Sequence, residues 1–205
     1  MTIKVRSISK RHLQNNFILY FILVMFLCIG IISGAICINR FNEEQNLKLI
    51  NNFSLFFKYM GKEYNSLDMF KASLLSNLKT TLIIWCLGLI SLGIGIIPLI
   101  IFWEGISIGF TVGFLVKVFS IKGFIFSLIG LLPYYLVIIP GFIAIGAIGL
   151  SNSNHMRKSR SIRGYYNSLA DYTFLILLFF IIFIFGSLIE GFYTPYFFNF
   201  IGFYL

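Results

Sequence analysis

Glu104 is the only acid between Asp68 and Asp171, and it lies in a long, otherwise almost uncharged stretch. An ionisable side chain at the centre of a membrane helix costs about 2.5–3.5 kcal/mol even on insertion scales, so it marks a functional site by default and needs a partner or a proton. At the membrane boundary it needs neither, and Glu104 would there be a structural residue of a turn. Few other residues offer chemistry. His12 and His155 lie in basic segments, and neither is followed by a metal-binding pattern such as H-E-x-x-H. No P-loop is present, and the G-x-G from Gly93 to Gly95 falls inside an apolar run, where it cannot cradle a phosphate. Without a nucleophile set beside a base, or two carboxylates free to flank a bond, the expectation is a protein that is not an enzyme and has no catalytic residues, metal site or cofactor. Cys28, Cys37 and Cys86 sit in or at the edge of apolar runs and read as small buried hydrophobes rather than a disulfide or zinc framework.

The glycines carry a different kind of chemistry, that of helix contact. Gly105, Gly109 and Gly113 form two overlapping G-x-x-x-G motifs, and Gly30 and Gly34 form another. Glycines four apart leave a groove in which a second helix approaches closely, the arrangement that pairs helices where lipid supplies no hydrophobic drive. These five are the expected helix-packing residues. Self-association is left open, because such packing serves one chain or two.

The elements that position these residues follow from composition. Of 205 residues, 59% are apolar and 11% charged, with a mean hydropathy of +0.92, against roughly 45–50% and about 25% in soluble domains. This is a membrane composition. It excludes a disordered chain and a soluble nucleic-acid binder, despite a formal charge of +9. About 20 apolar residues cross a hydrocarbon core, and the expected layout is an all-α integral membrane protein with five transmembrane helices: 17–38, 80–102, 104–119, 124–150 and 172–189. The two middle segments rest on a turn at Phe102-Trp103-Glu104-Gly105, because forty residues of helix span roughly 60 Å, twice the core thickness. The fourth span is interrupted by Pro133 and Pro140.

Lys and Arg set the orientation. Lys4, Arg6, Lys10 and Arg11 precede the first span in segment 1–16, and Arg157, Lys158, Arg160 and Arg163 fill the segment 151–171. Both segments are expected in the cytoplasm. The second group orients the chain and attracts anionic lipid head groups at about 1 kcal/mol each. Asp171 and Glu190, at the two ends of the fifth span, read as boundary residues. The aromatic tail 190–205 then lies outside.

Segment 39–79 separates the first two spans and follows a helical period. Leu47, Ile50, Phe53, Phe57 and Met60 recur at spacings of three and four, Gly61 reads as a stop, and Leu67, Phe70, Leu74 and Leu78 follow a second start near Asn65 or Ser66. The expectation is an extracytoplasmic amphipathic helical hairpin. Its apolar side either rests on the membrane or binds a partner, with Leu47, Ile50, Phe53, Phe57, Met60, Leu67, Phe70 and Leu74 as the contact residues.

Arg11-His12-Leu13-Gln14-Asn15-Asn16 leading into the first span, Ser33-Gly34-Ala35 at its end, Asn77-Leu78-Lys79, and Trp103-Glu104-Gly105-Ile106-Ser107-Ile108-Gly109 together make the chain resemble the stage II sporulation protein M family. The resemblance implies a non-enzymatic scaffold in the mother-cell membrane at the sporulation septum. It would anchor and localise two peptidoglycan hydrolases, the stage II sporulation proteins D and P, during engulfment. Its partners would be these hydrolases and membrane lipid, with no nucleic acid. The competing reading is a small transporter or channel lined by Glu104 and the proline-broken fourth span.

Overall fold

The computed structural model describes residues 17–42, 44, 47–49, 51, 65–158 and 162–194. Five long helices occupy them: α1, Phe17–Asn39; α2, Ser66–Gly88; α3, Gly93–Gly130; α4, Leu132–Lys158; and α5, Ile162–Leu188, which runs into one turn of π-helix, Ile189–Tyr193. No strand occurs among the described residues. Four stretches are long and apolar enough to cross a bilayer: Phe17–Ile38, Gly93–Ile125, Leu132–Met156 and Leu169–Tyr193. The helix α2 matches α1 in length, 23 residues each, but carries Asp68, Lys71 and Lys79 and is less apolar.

Several boundaries depart from the sequence-based layout. The turn at Phe102–Gly105 does not exist, because α3 is helical from Gly93 straight through these residues. The chain reverses earlier, at Leu89–Leu92, where the Leu89 and Ile90 amides donate to the Cys86 and Leu87 carbonyls in tight turns. The length of 80–119 required a reversal somewhere, but neither Trp103 nor Glu104 opposes helix, and both glycines flanking the observed reversal, Gly88 and Gly93, weaken it. The segments 80–102 and 104–119 are therefore the end of one helix and two successive parts of the next. Leu67, Phe70, Leu74 and Leu78 belong to no separate outer helix. They lie on α2, which starts at the cap Asn65, whose Oδ1 accepts a bond of 3.2 Å from the Leu67 amide. Likewise α4 begins at Leu132 rather than at Phe124, and it continues through Pro140 without a break. Pro133 falls in its first turn, where its missing N–H costs nothing.

The helices pack in an order set by small residues. Along α1 and α3 the contacts advance together, Gly30 on Gly105, Gly34 on Phe110 and Ile38 on Gly113, so the two helices run parallel. The Lys117 ammonium of α3 closes this pairing by donating to the Ile38 carbonyl at 2.7 Å, a cation at the negative end of α1. Behind them α4 forms the centre. From Gly141 to Leu150 every residue but Ile143 is buried, which is why that stretch is apolar on all sides. Leu23, Ile84, Ile97, Ile101 and Phe183 meet it there. The outward face of α1, from Phe17 and Phe21 to Ile32 and Ile36, is exposed and apolar, with Met25 and Cys28 among its aliphatic and aromatic side chains, as a lipid-facing surface must be.

One backbone position is strained. Ser120 has φ 53° and ψ −131°, the first position of a type II′ turn, which suits glycine. It bends the end of α3 back so that Gly123 meets the Leu115 carbonyl. Ser120→Gly removes this cost and is expected to stabilise the protein by about 1 kcal/mol. The gain appears as slower thermal unfolding in detergent, with Ser120→Val moving in the opposite direction.

Candidate functional site

The glycine seam is consumed inside the chain. A Cβ placed on Gly30 would come within 3.1 Å of the Gly105 Cα and nearer still to the Phe102 carbonyl oxygen. On Gly34 it would meet the Ile106 carbonyl and sit 2.8 Å from the Phe110 amide nitrogen; on Gly109 it would sit 2.8 Å from the Ile31 Cα. Gly113 is looser, 3.1 Å from the Ala35 Cα. Four of the five positions thus face backbone rather than flexible side chains, so the approach tolerates no side chain without separating the helices.

This register also fixes the depth of Glu104. Its neighbour Gly105 packs on Gly30, near the middle of α1, which places the carboxyl midway along the span rather than at a boundary. The Thr80 hydroxyl of α2 donates to Glu104 Oε1 at 3.2 Å. This partner lies on the preceding helix, across a reversal that polarity does not reveal.

A second carboxyl faces α2. Glu190 is half-buried and lies within hydrogen-bonding reach of Ser73 and Tyr134, while Tyr134 also contacts Asn77. Asn77 Nδ2 and Ser73 Oγ each donate to the Ser187 hydroxyl at 3.1 Å. Tyr135 bonds Thr111 and lies within electrostatic reach of both Glu104 and Glu190. These side chains from α2, α3, α4 and the π-turn form one polar cluster between the helices. No buried side-chain nitrogen or oxygen among the described residues lacks a partner.

The cluster explains how α2 fits among apolar neighbours. Its Ser73, Asn77, Thr80 and Thr81 recur at helical spacing on one buried or half-buried face. An unsatisfied polar group in hydrocarbon is expensive. Each finds a partner here, Thr81 through its own helix by donating to the Asn77 carbonyl at 2.8 Å. The repeat Ser73-Asn77-Thr80 was available in the sequence as the signal for this face. The cluster also widens the end of α5, since a π-turn is the local geometry in which an inserted residue re-aims a side chain.

Gly105-Ile106-Ser107-Ile108-Gly109 has the spelling of a nucleophile elbow, G-x-S-x-G. The elbow requires a sharp strand-to-helix turn. Ser107 is instead mid-helix, and its hydroxyl donates to the Trp103 carbonyl at 3.3 Å.

The nominated contact residues fall into two groups. Leu47 and Leu67 are exposed. Phe70 and Leu74 are half-buried, and Phe70 packs on Gly191, so the protein's own π-turn covers part of the face assigned to a partner. Ile50, Phe53, Phe57 and Met60 lie outside the described residues, as do Arg160 and His12; Arg157, Lys158 and Arg163 are placed by their backbone alone. Cys28, Cys37 and Cys86 are free and exposed rather than buried, two of them on α1 and one near the end of α2, on surfaces that lipid would cover. No group of three or more His, Cys, Asp or Glu able to hold a metal occurs among the described residues. Pro140 lines an apolar groove of about 380 Å³ with Val112, Leu128, Leu136 and Ile139, not a polar path.

The family model for stage II sporulation protein M matches residues 22–195. No curated protein and no solved structure matches the chain.

Proposed function

The chain belongs to the stage II sporulation protein M family, and from that premise we propose that it is a non-enzymatic membrane scaffold, holding peptidoglycan hydrolases at the septal membrane during engulfment. The coarser statement is that it is a sporulation-related, multi-pass helical membrane protein. The observation that carries the finer reading is the internal closure of the bundle. The glycine seam binds α1 to α3 within one chain, and the polar cluster ties α2 to α3, α4 and α5. A body so closed is a stiff platform whose free surfaces are its lipid face and the segments outside the bilayer.

On this proposal α2 is the second of five crossings. The parallel run of α1 and α3 supports one pass between them, and α2 is long enough at about 1.5 Å per residue to make it. With the basic segments in the cytoplasm, the segment between α1 and α2 then faces the wall. The stage II sporulation proteins D and P would dock there, around Ile50 and Phe57. Holding two hydrolases on one platform raises their effective concentration without new chemistry.

Ile50→Asp combined with Phe57→Asp places two charges on the proposed contact face. The expected outcome in solubilised sporulating cells is normal membrane abundance with at least about tenfold less hydrolase co-purified, the equivalent of roughly 1.4 kcal/mol. Undiminished hydrolase recovery from the double variant would remove this surface from the account.

A further inference from the structure

At the end of the bundle where α2 reverses into α3, the helices α4 and α5 line an open cavity of about 170 Å³. Its floor is aliphatic, Ile148 from α4 and Leu175 from α5, and its rim carries His155 and Asp171 from the same two helices. Two other lining side chains brace the wall. Asn152 Nδ2 donates to the Gly88 carbonyl at 3.0 Å, and the Tyr172 hydroxyl to the Trp85 carbonyl at 3.0 Å. His155 and Asp171 are different. Both are exposed, and neither has a hydrogen-bond or ion-pair partner among the described residues. One wall therefore offers an N–H donor and the other a carboxylate, facing the same space without joining across it.

The position of this rim narrows what it can meet. His155 is one residue inside the end of the apolar stretch Leu132–Met156, and Asp171 is two residues into Leu169–Tyr193. Both therefore sit at the level where hydrocarbon gives way to head groups. A purely anionic group is opposed by Asp171 and a purely cationic one gains nothing from His155. A zwitterion with a cation and a phosphate separated by a short linker satisfies both. The aliphatic floor favours a molecule that continues into the bilayer over a soluble one.

We propose that this cavity binds the head group of an ethanolamine phospholipid, with the ammonium on Asp171, the phosphate on His155, and the start of the acyl region on Ile148 and Leu175. This assignment is independent of the scaffold reading and concerns how the bundle is seated in its leaflet.

The test uses the full chain reconstituted in vesicles of equal phosphatidylethanolamine and phosphatidylglycerol, extracted in mild detergent, with retained lipid read by native mass spectrometry. Arg157, Lys158, Arg160 and Arg163 lie in sequence between His155 and Asp171 and draw phosphatidylglycerol on their own, so the readout is relative: the wild-type protein is expected to retain phosphatidylethanolamine over phosphatidylglycerol about tenfold more than Asp171→Asn does, as one or two charge-assisted contacts provide. Asp171→Asn keeps the shape and should remove most of that preference; Asp171→Lys should turn it toward phosphatidylglycerol. His155→Gln reads the phosphate side separately and should lower retention of both lipids. A phosphatidylethanolamine-to-phosphatidylglycerol ratio unchanged by the Asp171 substitutions, or lipid retention unchanged by His155→Gln, overturns the proposal. Binding of free phosphoethanolamine as tightly as the lipid would overturn the assignment to a membrane ligand.

Discussion

Gly34→Val is expected to abolish the stable fold. The new Cβ would drive into the Ile106 carbonyl and press the Phe110 amide at 2.8 Å, and both are backbone atoms of a helix that cannot swing aside. The two helices must separate, which takes the contacts of the whole seam with it. Overpacking of a close-packed site costs typically 1–3 kcal/mol where side chains adjust, and at a backbone-to-backbone contact we expect more than about 3 kcal/mol. The readouts are loss of a monodisperse peak after detergent extraction and low abundance in the membrane. Gly95→Ala supplies the contrast, because nothing lies within 4 Å of the added carbon, and alanine is the better helix former by roughly 1 kcal/mol. A Gly34→Val protein that purified and melted like wild type would show that α1 does not lie on α3 as described.

The second large effect separates a structural carboxyl from a working one. Glu104→Lys puts an ammonium midway along the span and removes the acceptor to which the Thr80 hydroxyl donates. The cost is about 3 kcal/mol by insertion scales, expected as poor membrane accumulation. Glu104→Gln retains the Oε1 acceptor for the Thr80 hydroxyl, so its stability should stay within roughly 0.5 kcal/mol of wild type, and hydrolase co-purification should persist. A scaffold has no use for the ionisable form of this residue, whereas a carrier that moves a proton or cation through Glu104 does. Loss of sporulation by a well-folded Glu104→Gln protein would therefore favour the carrier.

Both predictions depend on contacts that were unevenly legible in the chain itself. The apolar runs announced membrane helices, and the four-residue spacing of Gly30, Gly34, Gly105, Gly109 and Gly113 announced close helix contacts. That these contacts lie within one chain was not legible, because spacing says nothing of which helix fills a groove. The turn was misplaced because Trp103 and Glu104 were judged by what isolated side chains prefer. The Thr80 hydroxyl, 24 residues away, changes that preference. Glu190 was legible as a residue at the end of an apolar run, but not the Ser73 and Tyr134 that the fold brings beside it. The polar face of α2 was read as an outer amphipathic helix, since a stripe of Ser, Asn and Thr looks alike whether it faces water or a buried cluster.

The scaffold account is tested most directly by where a wall hydrolase goes. A fluorescently labelled stage II sporulation protein P, followed in sporulating cells that lack this chain, is predicted to lose its concentration at the septum and to regain it when the wild-type chain is restored but not the Ile50→Asp, Phe57→Asp variant. A hydrolase that gathers at the septum equally well with the chain and without it would contradict the account.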